Sequence, residues 1–182
     1  MTTSNPRSLD PRALDLRAFC RHEGRLEGSW ALASMARLAA GFSATSDGTT
    51  VWSAQGGLVP VVGGEAEIWL MLQASAEAPL QCQRCLQTML QPLQVDRRFR
   101  FVRSEDEAAG LDEDSEDDVM VLPARLDLQE LLEDELILTV PIVPRHALCP
   151  EPLPLQDATE FKDEPAPHPF AALAALKGRG GS

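Results

Sequence analysis

The 182 residues carry 28 acidic against 16 basic side chains, a formal net charge of −12, and this balance excludes a surface coated with cations for phosphate binding along its whole extent. An apolar fraction of 44% suffices for one core, while 14 prolines, 12 glycines and no tyrosine leave much of the length irregular. No stretch approaches the roughly 20 apolar residues of a membrane span. The first 25 residues hold five arginines and no apolar run of the kind a secretory leader needs, so a cytoplasmic location is expected. Cysteines there are reduced, and the four in this chain read as free, metal-binding or reactive rather than as disulfides. The charge is also uneven: residues 1–103 hold 11 basic and 9 acidic side chains, and residues 104–182 hold 5 and 19.

In chain order, residues 1–13 are polar and interrupted by Pro6 and Pro11, which predicts a mobile lead-in. From Gly28 to Ala40, Leu32, Met35, Ala36 and Ala39 recur at the 3.6-residue period and predict a helix stopped at Gly41. Short strands are expected at 49–53 and 58–62, the second ending in the turn signal Gly63-Gly64. The clearest periodicity follows. Ala66, Ile68, Leu70, Leu72, Ala74, Ala76, Ala78 and Leu80 alternate with mostly polar residues, although Trp69 and Met71 break the polar side. After Cys82-Gln83-Arg84-Cys85 the alternation resumes as Leu93, Val95, Phe99 and Phe101, so two long strands form an antiparallel hairpin.

Residues 104–118 hold nine acids and no base, which predicts a solvated loop. Residues 119–122 are expected to add a strand. Asp127 with Glu130 three positions on starts a second helix, which carries Leu128, Leu131, Leu132 and Leu136 on one face and stops at Pro141. The proline-rich remainder predicts an extended tail, with Phe170, Leu173 and Leu176 in a short terminal helix. The expected fold class is α+β: an antiparallel sheet with a long central hairpin, two main helices, and flexible acidic and proline-rich segments. The expected domains are the lead-in 1–13, a single domain at 14–150 containing the acidic loop 104–118, and the tail 151–182.

Three groups of side chains are candidates for function. Cys82 and Cys85 flank a turn between strands, where two thiolates can face one tetrahedral ion, and His146 and Cys149 offer the remaining ligands of a Cys3His set for structural zinc. The alternatives are small buried thiols, or a CxxC thiol oxidoreductase, for which the strand context lacks the usual helix N-terminus. Arg84, Arg97, Arg98, Arg100 and Arg103 are candidate RNA contacts. Arg98 and Arg100 share one strand face, opposite Phe99 and Phe101, and pairing with the acidic loop is the competing role. Glu133, Asp134 and Glu135 on the second helix are candidate contacts to a partner, against the commoner reading of a solvated face. No phosphate loop, GxSxG elbow or HExxH motif is present, so neither an enzyme nor a small-molecule substrate is expected.

Taken together, the run CQRCL after a long alternating strand, the segment DLQELLEDELILTVPIVPRH followed by Cys149, and the terminal HPFAALAALK resemble the YceD family of large ribosomal RNA subunit accumulation proteins. GSWALASMARL near the start is similar to the family's N-terminal part, and the resemblance runs from about residue 25 to 177. It implies a role in synthesis, processing or stability of the large-subunit (23S) rRNA, without known catalysis. The implied partners are that rRNA or, in an acidic-adaptor reading, a basic large-subunit ribosomal protein without RNA contact. Some relatives look to carry a second Cys pair after the helix, where this chain has His146 and Cys149. No catalytic residue carries over.

Overall fold

The computed structural model describes residues 10–61, 63–112 and 117–150. Residues 1–9 and the whole of the expected tail 151–182, with its terminal helix, therefore lie outside the described residues. Five strands form one sheet in the order β1-β2-β3-β4-β5: β1 Arg25–Ala31, β2 Thr49–Val59, β3 Glu67–Gln81, β4 Thr88–Val102 and β5 Asp118–Val121. Helix α1 spans Leu16–Arg21, α2 Ala36–Ala39, α3 Glu105–Asp112 and α4 Leu128–Thr139. This is the expected α+β class. The first four strands pair antiparallel, but β5 joins β4 in parallel, so the sheet is mixed.

The central hairpin follows from its period of two. In β3, Ile68, Leu70, Leu72, Ala74, Ala76 and Ala78 are buried while Gln73, Ser75 and Glu77 face solvent. Register pairs Leu70 with Phe99, Ala74 with Val95 and Ala76 with Leu93, so both strands present one apolar face. Against that face lie Leu16 and Phe19 of α1 and Leu128, Leu132 and Leu136 of α4, all in one buried cluster. Each such leucine or phenylalanine stabilises the fold by roughly 1.5–3 kcal/mol. Among the described residues, no helix packs on the opposite face of the sheet.

Three expectations need correction. The helix predicted from Gly28 to Ala40 is instead β1, a 3-10 turn at Leu32–Ser34, and the single-turn α2. Trp30 stacks on Trp52 of β2 with centroids 4.4 Å apart, and this cross-strand contact overrides the helical propensity of the alanines. In place of two short strands at 49–53 and 58–62 there is one, β2, which runs through Gly56 and Gly57 and ends at Val59. The acidic stretch is not wholly a loop, since α3 occupies residues 105–112. The amide of Glu107 donates to Ser104 Oγ, and Glu105, Asp106 and Glu107 suit the positive end of the helix dipole. Helix α1, unforeseen, starts at Asp15, whose carboxylate accepts from the Ala18 amide.

Candidate metal centre

The end of β3 and the start of β4 are joined by a tight turn. The Cys82 amide donates to the Gln87 carbonyl at 2.9 Å, and the Leu86 amide donates to the Cys82 carbonyl at 2.9 Å. Leu86 sits at φ 62, a left-handed conformation that costs a non-glycine residue about 1–2 kcal/mol. Such strain persists where the surroundings over-determine it. Here it folds the turn so that both Cys82 and Cys85 are buried on one side.

The second half arrives from α4. The helix ends at Thr139, Pro141 prevents its continuation, and the chain returns to the hairpin. There the Gln83 amide donates to the Pro144 carbonyl at 2.8 Å and the His146 amide donates to Cys82 Sγ at 3.4 Å. The ligand atoms of Cys82, Cys85, His146 and Cys149 all lie within 4.8 Å of one another. Cys82 Sγ is 3.9 Å from Cys149 Sγ, and Cys85 Sγ is 3.3 Å from His146 Nδ1. A tetrahedral zinc ion with sulfur at about 2.3 Å and nitrogen at about 2.0 Å spaces its ligands about 3.8 Å (S to S) and about 3.6 Å (S to N) apart. The cluster could hold a metal ion of this kind.

Its electrostatics favour anionic sulfur at Cys82 and oppose it at Cys85. Burial pushes the Cys82 thiol up, but amides of Cys85, His146 and Arg84 donating to its sulfur bring it down to about 5. Cys85 stays above the usual thiol range. A backbone hydrogen bond from Gln87 lowers it, and burial with the neighbouring Cys149 and Cys82 sulfurs outweighs that. Cys82 has no exposed surface, whereas a redox nucleophile must be partly accessible. Cys20 is of another kind. It is buried in the core, donates from Sγ to the Trp69 carbonyl at 3.3 Å, and is pushed up to about 11 by burial, against a smaller lowering by a backbone hydrogen bond from Gly57.

The candidate arginines are dispersed. Arg84 donates from Nε to Cys149 Sγ at 2.9 Å, as part of the cluster. Arg97 lies on the helix side of the sheet, opposite Leu72, and pairs with Glu135 of α4 at 3.2 Å and Asp118 at 3.9 Å. Arg98 and Arg100 lie on the open face. Arg98 stands 5.6 Å over the Trp69 ring and 3.5 Å from Asp117, and Arg100 pairs with Glu67. Arg103 pairs with Glu65. The acids of α4 are likewise engaged. Glu133 accepts from the backbone amides of Arg37 and Leu38 at 2.6 and 3.1 Å and from the Arg37 guanidinium, Asp134 pairs with Arg37, and Glu135 pairs with Arg97.

The family described as Large ribosomal RNA subunit accumulation protein YceD matches residues 70–177, more than half of the chain. The chain belongs to the YceD family. The matched stretch contains most of β3, all of β4 and α4, and all four Cys and His residues of the cluster, whereas GSWALASMARL lies before it. The Haemophilus influenzae protein described as Large ribosomal RNA subunit accumulation protein YceD is 35% identical over 105 residues, which cover 56% of this chain and 60% of that relative. The match thus spans less than two thirds of the relative's length. No solved structure matches.

Within this YceD-family chain two structurally important residues escaped the sequence reading. Arg37 holds α2 against α4 through Glu133 and Asp134, across nearly one hundred residues of sequence. Trp69 covers Gly57 of the neighbouring strand and carries Arg98. An odd-numbered aromatic in a strand whose even positions are apolar was the available signal for Trp69. Arg37 left no local signal.

Proposed function

We propose that this chain supports the accumulation of large-subunit rRNA as a non-enzymatic binding protein, with a structural zinc ion held by Cys82, Cys85, His146 and Cys149. The family match over residues 70–177 carries this reading. The geometry favours a binding protein because the nucleophile-like thiols are enclosed in a metal-sized cluster and the α4 acids are committed to internal ion pairs. Loss of the chain in its own cell is expected to lower the ratio of large- to small-subunit rRNA, and an unchanged ratio would sink the assignment.

For RNA contact, Arg98 has the most suitable setting of the five arginines. Its guanidinium is about half exposed on the open sheet face and is backed by Trp69, an arrangement on which an unpaired base can stack. Replacing Arg98 by Ala should weaken binding to rRNA fragments with little dependence on their sequence, and if the guanidinium also touches a phosphate the magnitude of the salt slope should fall by roughly 0.7 to 0.9. A second reading rests on α3, whose Glu105, Asp106 and Glu107 are exposed and suit a basic ribosomal protein. Crosslinking of the whole chain followed by identification of bound RNA and protein separates the two.

A further inference from the structure

Arg84 belongs to the Cys82–Cys85 turn by sequence, but its side chain bonds the other half of the cluster. Nε donates to Cys149 Sγ at 2.9 Å, and NH2 donates to the His146 carbonyl at 3.1 Å. One guanidinium therefore grips both ends of the His146–Cys149 segment. Resting on the zinc reading above, we propose that Arg84 is a positioning residue of the metal centre, which orients the Cys149 thiolate toward the ion and locks the 146–149 loop onto the 82–85 turn.

Charge and packing both support this role. Three thiolates and a neutral imidazole around a dication leave one net negative charge in a site whose Cys82 and Cys85 are buried. A permanently charged guanidinium on the rim offsets it, and its planar fork holds two acceptors in a fixed relative geometry, which the rotatable donors of an ammonium do not impose. The segment after α4 has little else to hold it. From Pro141 to Pro150 only Pro144 is buried, while Ile142 is 100% exposed and Leu148 88% exposed. With so little apolar burial to offset the entropy of ordering these residues, polar bonds and ligation must supply the difference. Among the described residues, the two Arg84 bonds, the Gln83–Pro144 bond and the His146–Cys82 bond cross this junction beside the ligand-to-ligand contacts of the cluster itself. Arg84 makes two of them. It thereby helps the second cysteine–histidine pair to be ready for the ion, as outer groups around a metal usually do for its ligands.

The test uses the full chain as wild type, Arg84→Ala and Arg84→Lys, each assayed for zinc as purified without chelator and then stripped of metal before titration. Each protein is titrated with cobalt(II), and zinc(II) affinity is then read by competition. The wild type is expected to take up one equivalent of cobalt(II) with the absorption of a tetrahedral thiolate site. Arg84→Ala should lower zinc affinity by roughly 10–100-fold. Its sulfur-to-cobalt charge-transfer band should shift, because the Cys149 sulfur has lost a hydrogen-bond donor. Arg84→Lys keeps the charge without the fork and should recover half of the lost affinity at most. Arg84 is exposed at its contacts, so unchanged melting of the metal-free forms checks that the fold is intact. Wild-type affinity and an unshifted band in Arg84→Ala, or full recovery in Arg84→Lys, overturn the positioning role and leave the zinc reading standing. A wild-type protein that takes up neither zinc nor cobalt overturns both.

Discussion

Glu133 and Glu135 stand two positions apart on α4 and look equivalent in the sequence, yet their surroundings give them opposite energetic roles. The Glu133 carboxylate accepts two backbone amides at the start of α2 and the Arg37 guanidinium, so its charge is matched by donors that would otherwise be orphaned. Truncation in Glu133→Ala strands those amides, and a loss of roughly 2–4 kcal/mol is expected in denaturant unfolding. Glu135 is raised above the usual carboxylate range, first by burial and then by Asp118 and Asp134, with Arg97 only partly compensating. Because its folded-state pKa lies above the unfolded value, the folded state binds the proton more readily. Stability from this group therefore falls as pH rises through the folded pKa. Glu135→Gln should be at least as stable as wild type at neutral pH, and the difference should shrink as pH drops into the carboxylate range. A Glu135→Gln protein whose advantage grew on acidification would contradict this environment. Arg97, half exposed beside Asp118, can relax toward solvent in that variant.

At the scale of elements, β2 shows where sequence patterns mislead. Gly56 and Gly57 look like a break between two short strands, but the chain passes through them unbent because neighbours occupy the space a side chain would take. A Cβ at Gly56 would stand 2.6 Å from Cys20 Sγ and 2.7 Å from the Phe19 ring, and at Gly57 2.5 Å from Trp69. Gly56→Ala should thus cost roughly 1–3 kcal/mol by overpacking the seat of α1 on the sheet. Gly110→Ala in α3 meets nothing within 4 Å and should instead stabilise by roughly 0.5–1 kcal/mol through helix propensity. Equal melting temperatures for the two variants would refute this account. The hairpin of β3 and β4 and the helix α4 were legible because their periodicity is long and uninterrupted and their apolar faces are local properties. The strand β1 was not, since its half-buried Leu26 and Trp30 make sense only beside Trp52, and the alanines that follow favour a helix. Helix α3 hid behind its charge, and its acids are favourable because they crowd the first turn. The four metal-type residues could be nominated from spacing alone, but their convergence depends on how α4 returns to the hairpin, which no local pattern encodes.

At the scale of the molecule, the described residues show two separate sources of order, the core and the Cys/His cluster. The largest fully buried side chains, among them Phe99, Leu70, Leu72, Leu132 and Leu136, belong to the sheet and its helices. The cluster instead joins the hairpin turn to residues 141–150, which bury almost nothing. On the zinc reading proposed above, removing the ion should act unevenly. Treatment with a strong chelator is expected to lower the melting temperature, and Cys82→Ser and Cys149→Ser should lower it similarly, because the free energy of ligation is available only to the folded state, where the two half-sites meet. Hydrogen exchange gives the sharper measurement. In the chelated protein, protection should fall first at the turn amides of Cys82 and Leu86 and at the Gln83 amide bonded to Pro144, while the paired amides of β3 and β4 between residues 70 and 76 keep theirs. Simultaneous loss of protection in the sheet centre would show that the ion supports the core itself. Unchanged protection everywhere would show that the four side chains hold the turn by packing and hydrogen bonds without a metal.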